Sequence, residues 1–175
     1  AAHTEMVMAC LGRAEERWPV DADRVYLTGL SQGGNGTWEI GAAKAGVFAA
    51  VAPVCGFADP AGAAVRWPGD SATLSEALAA TPVWAFHGEK DDVVKPEQTR
   101  RMVAALERVL VGQDAPDHMR PVDLQKDDGK TTTLRMTVYG DLNHGCWDRA
   151  YRDSGMAAWF LRFGRGQHPQ APSGR

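Results

Sequence analysis

The sequence predicts an α/β protein, a parallel sheet of about four strands with helices packed on its faces. Short β-prone apolar runs alternate with helical stretches along the chain. The first of these runs, Val25 to Thr28, is apolar enough for a strand covered on both sides, as parallel sheets require. A glycine-rich turn follows it directly, at the carboxyl end of a strand, where such sheets carry their functional loops.

The elements follow in order. Val7, Leu11, Ala14 and Trp18 recur at helical spacing, predicting an amphipathic helix over residues 3–17 that Pro19 stops. Asp21 to Arg24 is a polar turn, and Val25 to Thr28 is the first strand, ending at Gly29. Residues Gln32 to Ala45 predict a buried helix in which Gly33, Gly34 and Gly36 permit close packing on the sheet. Ala49 to Val54, Val83 to His87 and Leu134 to Tyr139 supply the second, third and fourth strands. Val103, Leu106 and Leu110 mark one face of a helix from Glu97 to Leu110. Residues 56–81, with a short helix at Leu74 to Ala80, and the polar stretch 112–131 are insertions. Tyr151, Met156, Trp159, Phe160 and Phe163 indicate a final helix, so residues 1–163 form the folded core and 164–175 a disordered tail.

Composition narrows the function classes. A length of 175 residues, 44% of them apolar and 23% charged, suits one soluble domain with a core. The 19 basic and 22 acidic residues, net charge −3, form no long runs and leave no footprint for nucleic acid or an anionic membrane. No stretch reaches the roughly 20 apolar residues of a membrane span. The chain opens on Ala1 with no signal-like segment; an upstream piece and any export signal in it are expected to have been removed, which leaves the compartment undetermined. Cys10, Cys55 and Cys146 fit neither a disulfide framework nor a zinc site and read as small buried apolar side chains. A Cys55–Cys146 bridge is the minor alternative, open if both lie near the site rim.

Gly29-Leu30-Ser31-Gln32-Gly33 is a Gly-x-Ser-x-Gly sequence between a predicted strand and a predicted helix, the context of a nucleophile elbow. The sharp turn forces the serine into a strained backbone conformation, and the flanking Gly29 and Gly33 are expected to be glycines because a Cβ there would clash. Ser31 then stands at a helix head, where free N–H groups favour developing negative charge and the N–H of Gln32 is the natural oxyanion donor. The bland alternative is a serine that only caps the helix. A serine hydroxyl needs a base, and the base needs a partner that fixes its tautomer. Asp91, with Asp92 as competitor, follows the third strand, and His144 follows the fourth in a glycine-bounded loop. His3, His118 and His168 lie at ends or in the polar stretch, and His87 reads as a structural contact. The order Ser, Asp, His is that of α/β-hydrolases.

Leu27 to Trp38 resembles the elbow of bacterial "predicted peptidase" and esterase-like α/β-hydrolases, relatives of the prolyl-oligopeptidase, feruloyl-esterase and polyhydroxybutyrate-depolymerase-like groups. The resemblance continues through Ala49 to Cys55, Pro82 to Pro96 and Val138 to Tyr151, and covers roughly residues 3–163. It implies Asp91 rather than Asp92 as the acid. It also implies further strands before the first helix, with a loop giving a second oxyanion N–H; without them the elbow strand stands at a sheet edge, where self-association and a weakened oxyanion site are expected.

Together these readings predict a serine hydrolase of carboxylic esters working through an acyl-enzyme on Ser31, Asp91 and His144, with a small ester or short peptide as substrate and no cofactor. A prolyl-oligopeptidase-like peptidase, or an inert fragment that keeps the triad letters, are the rivals. No metal-ligand spacing or phosphate loop appears. The sequon at Asn35 reads as incidental, and Trp38, Trp147 and Trp159 as core or pocket-wall residues.

Overall fold

A computed structural model describes residues 2–64, 72–111 and 134–165. In chain order the elements are α1 (Ala2–Arg17), a 3-10 turn (Ala22–Arg24), β1 (Tyr26–Leu30), α2 (Gln32–Ala43), β2 (Ala50–Val54), α3 (Leu74–Leu78), β3 (Val83–Gly88), α4 (Glu97–Val111), β4 (Leu134–Tyr139), α5 (Trp147–Arg152) and α6 (Met156–Phe160). The strands pair in parallel in the order β1-β2-β3-β4, with Tyr26 opposite Ala50, Val51 opposite Val83 and Val83 opposite Leu134.

Strand alternation splits the core into two layers. Val51, Val83, Ala85, Leu134 and Met136 face one way, against Trp38 and Ile40 of α2, Leu74 and Leu78 of α3 and Met102, Val103 and Leu106 of α4. Ala50, Ala52, Val54, Trp84 and Phe86 face the other, against Ala150 of α5 and Met156, Trp159 and Phe160 of α6. The consecutive strand order puts α2, α3 and α4, which cross between neighbouring strands, on one face. The returning α5 and α6 cover the second, where Tyr151 meets Thr28 Oγ1 at 3.1 Å and Trp159 meets Trp84 edge-on.

Several expectations change. β1 is only half buried, with Thr28 and Leu30 exposed, because among the described residues it pairs on one side alone and forms a sheet edge. α1 forms as predicted but buries none of its residues; Val7 and Met8 reach the core partially, while Trp18 lies beyond the helix and exposed. The single final helix is two short ones, broken at Gly155, whose φ of 77° is a left-handed conformation that suits glycine. Gly164 is buried and the Arg165 N–H donates to Asp23 O at 2.7 Å, so the ordered chain extends past the expected boundary at 163. The remainder of the expected tail and the expected insertion at 112–131 lie outside the described residues. In the other insertion, Thr73 and Glu76 form a reciprocal capping box that starts α3.

Close backbone approach fixes α2 on the sheet. A Cβ on Gly34 would lie 2.5 Å from Val54 O and 2.8 Å from the Gly56 Cα, so only glycine fits there. At Gly36 the nearest atom would be Ile40 Cδ1 at 3.8 Å, an ordinary contact. Asn35 is buried, and its amide donates to Phe57 O at 2.8 Å, tying α2 to the loop after β2. All three tryptophans singled out lie in or against the core: Trp38 and Trp159 buried, Trp147 partly so.

Candidate active site

β1 ends at Leu30 and α2 starts at Gln32, leaving Ser31 alone to make the turn. Its φ of 54° with ψ of −115° is a left-handed, strained conformation for a residue with a Cβ, which costs on the order of 1–3 kcal/mol. Main-chain bonds hold it there: Ser31 N–H donates to Val54 O at 2.9 Å and Asn35 N–H to Ser31 O at 3.0 Å. The Ser31 side chain makes no capping bond to α2. It points instead to His144, with Oγ 2.9 Å from Nε2.

Of the two flanking glycines, one is sterically required. A Cβ on Gly29 would lie 2.6 Å from the Gly33 carbonyl carbon and still closer to its oxygen. A Cβ on Gly33 would meet nothing within 4 Å, so the expected clash at Gly33 is corrected: its main chain is what crowds Gly29, while its own Cβ position faces open space. Gly29→Ala is therefore expected to destabilise by at least the roughly 1–3 kcal/mol of ordinary overpacking, since backbone cannot yield as a side chain does. Gly33→Ala, inside α2, should leave stability unchanged or raise it by up to about 1 kcal/mol. Urea unfolding midpoints of the two variants check the contrast.

Asp91 and His144 come from the loops that leave β3 and β4. Gly88, the last residue of β3, joins these loops: a Cβ there would strike the main chain of Leu142 and Asn143. Glu89 N–H donates to Tyr139 O and Lys90 N–H to Leu142 O, both at 2.9 Å. The buried Asp91 carboxylate is then bonded on both oxygens. Oδ1 accepts the N–H groups of Val93 and Val94, each at 2.9 Å, and Oδ2 lies 2.7 Å from His144 Nδ1. Burial alone raises the Asp91 pKa, but the bond to His144 and the two backbone N–H donors outweigh it and hold the group below the usual carboxylate value.

The structure thus brings Ser31, His144 and Asp91 into one hydrogen-bonded line across three loops. Asp92 is exposed, as is His3 on α1; His118 and His168 lie outside the described residues. Gln32 opens α2, so its N–H is among those that no carbonyl within the helix can accept. Trp147 stands edge-on to the His144 ring with centroids 5.7 Å apart.

One feature escapes the sequence reading. His87, expected to make structural contacts, touches Asp91 directly, with Nε2 3.1 Å from Oδ2; its position four residues before Asp91, next to Gly88, was the available signal. Cys55 and Cys146 are free and fully buried, as expected. The neighbouring Cys146 thiol holds the Cys55 pKa down, while Cys55 and burial push that of Cys146 up. Cys10, expected to be buried, is exposed, since α1 buries no residue. Among the described residues no group of three or more His, Cys, Asp or Glu is arranged to hold a metal ion, and no helix is long and apolar enough to cross a membrane.

The parallel four-strand sheet flanked by helices, with the strained turn at Ser31 between β1 and α2, is that of the α/β-hydrolase fold, and solved structures agree. A thermostable esterase superposes with a TM-score of 0.69 at 24% identity, over 94% of this chain and 38% of its own. A putative dienelactone hydrolase from Klebsiella pneumoniae subsp. pneumoniae MGH 78578 gives 0.57 at 21% identity, over 89% of this chain and 59% of its own. The acylaminoacyl peptidase of Pyrococcus horikoshii gives 0.58 at 14% identity, over 91% and 26%. The chain therefore spans less than two thirds of the length of each of these proteins. No protein-family model and no curated protein matches it.

Proposed function

We propose that this chain carries the catalytic centre of a serine hydrolase that cleaves carboxylic esters through an acyl-enzyme. The observation that carries the reading is the relay from Ser31 Oγ to His144 Nε2 at 2.9 Å and from His144 Nδ1 to Asp91 Oδ2 at 2.7 Å, set on a strained elbow. An ionised Asp91 only accepts, so His144 carries its proton on Nδ1 and leaves Nε2 free to take the Ser31 proton. Ser31 attacks the carbonyl carbon as that proton moves. The resulting imidazolium lies against the Asp91 carboxylate, and the oxyanion is received by the Gln32 N–H. His144 then protonates the leaving alcohol, and water repeats the cycle on the acyl-enzyme.

Esters are favoured over amides because an alkoxide needs less protonation to leave than an amine. The test is stoichiometric labelling of Ser31 by a fluorophosphonate, combined with turnover of p-nitrophenyl acetate and of an aminoacyl anilide. Labelling with faster ester turnover is the expected result. A chain that takes no label and turns over neither substrate overturns the reading, and faster anilide cleavage moves it to a peptidase.

A further inference from the structure

We propose that His87 is a positioning residue for the acid of this site, a second imidazole that holds the Asp91 oxygen used by His144. The inference rests on the serine-hydrolase reading above, and it starts from where the His87 proton must be. His87 is the penultimate residue of β3 and fully buried. Its Nε2 lies 2.9 Å from Val94 O and 3.1 Å from Asp91 Oδ2. A backbone carbonyl only accepts, and so does an ionised carboxylate, so Nε2 carries a hydrogen shared between the two. Burial keeps the ring from taking a second proton. Nδ1 is therefore an acceptor, and the buried Thr99 hydroxyl donates to it at 2.8 Å, the shorter of its two contacts, the other being Gly56 O at 3.4 Å. Every polar atom of the ring is then used in one tautomer.

This arrangement closes a ring of bonds around the carboxylate. Asp91 Oδ1 accepts the Val94 N–H, Val94 O accepts the His87 Nε2–H, and the same hydrogen reaches back to Asp91 Oδ2. The Val93 and Val94 N–H groups fix one oxygen only. Without His87 the carboxylate can pivot about that oxygen, and the atom that swings is the one bonded to His144. A packing role would need only a group that fills the space, whereas this role needs a donor at the position of Nε2. The other titratable groups around the pair are Cys55 after β2 and Cys146 before α5, which contact neither His87 nitrogen in the bonds described.

The test compares His87→Gln, whose amide can place an N–H near the Nε2 position, with His87→Leu, which fills the space without a donor, and Thr99→Val, which keeps the ring but withdraws its tautomer-fixing partner. Ester turnover, the folded fraction at the assay temperature and the proton resonance of His144 Nδ1–H are measured for each. A displacement of a catalytic group by a fraction of an ångström to one ångström costs up to about 100-fold, so His87→Leu is expected to lose about 10- to 100-fold in kcat with KM little changed. His87→Gln should recover most of that loss, and Thr99→Val should lose a few-fold. The His144 resonance should be sharp in the parent, broaden in His87→Leu and return in His87→Gln. If His87→Leu does not fold, Thr99→Val carries the comparison. Equal kcat and an unchanged resonance in the folded variants overturn the proposal, as does a loss that only tracks the folded fraction and that Gln does not recover. A parent chain that turns over no ester, yet shows the His144 proton responding to His87 as stated, rejects the hydrolase reading while keeping this one.

Discussion

Replacing Ser31 by alanine should reduce ester turnover on the order of 10⁶-fold, the loss seen when a serine hydrolase gives up its nucleophile. The change removes one oxygen and keeps the Cβ, so the cost of holding φ at 54° is the same in both proteins. The bonds that fix the turn are main-chain bonds to Val54 and from Asn35 and are untouched. What is lost besides the attacking atom is the partner of His144 Nε2. That side chain is 17% exposed, so water can replace the hydroxyl and the stability change should stay within about 1 kcal/mol. Rates on p-nitrophenyl acetate and thermal unfolding of the two proteins check both halves. Turnover within a few-fold of the parent would remove Ser31 from the chemistry.

The Asp91→Asn variant should lose on the order of 10⁴-fold, and the geometry says why. An amide has one acceptor end and one donor end. The Oδ1 position faces the N–H groups of Val93 and Val94, so the amide oxygen must sit there. The NH₂ then occupies the Oδ2 position, facing His144 Nδ1 at 2.7 Å. His144 can meet that donor only by moving its proton to Nε2, the atom that has to accept from Ser31. The substitution also sets a donor against the His87 Nε2–H, which keeps only Val94 O. Asp92→Asn, on an exposed side chain, should change turnover by less than a few-fold. Turnover numbers of both variants decide between the two aspartates; the reverse ranking would transfer the role.

Strands and the loops that carry the candidate site were legible because each rests on a local signal. β2 and most of β3 are continuous apolar runs, β4 alternates Leu134, Met136 and Val138 with Arg135 and Thr137, and their predicted bounds differ from the observed ones by at most a residue. Ser31 was legible from five consecutive letters and its strand-to-helix context. The parts that were missed depend on partners distant in sequence. Gly33 has the same letter as Gly29, and only the fold tells which one touches backbone. Trp18 matched the helical spacing of α1, but a helix resting on the core through Val7 and Met8 has little apolar face to bury. Gly155 splits the last helix through a positive φ that a pattern of apolar residues does not record. His87 was visible as a letter, yet its role depends on Val94, Asp91 and Thr99 converging on one ring.

The assembly of the site from three loops has a consequence for the protein while it is being made. Ser31 and His144 are separated by 113 positions. β1 and α2 are neighbours in sequence, so the elbow can form as soon as β2 is available to receive it. At about 5–20 residues per second, synthesis reaches the histidine loop roughly 6 to 23 s after the serine has been added. During that interval the hydroxyl has no base and behaves as an ordinary alcohol. The line from Ser31 to Asp91 is thus completed only when β4 and its loop have joined the sheet, long after the turn that carries the serine can form.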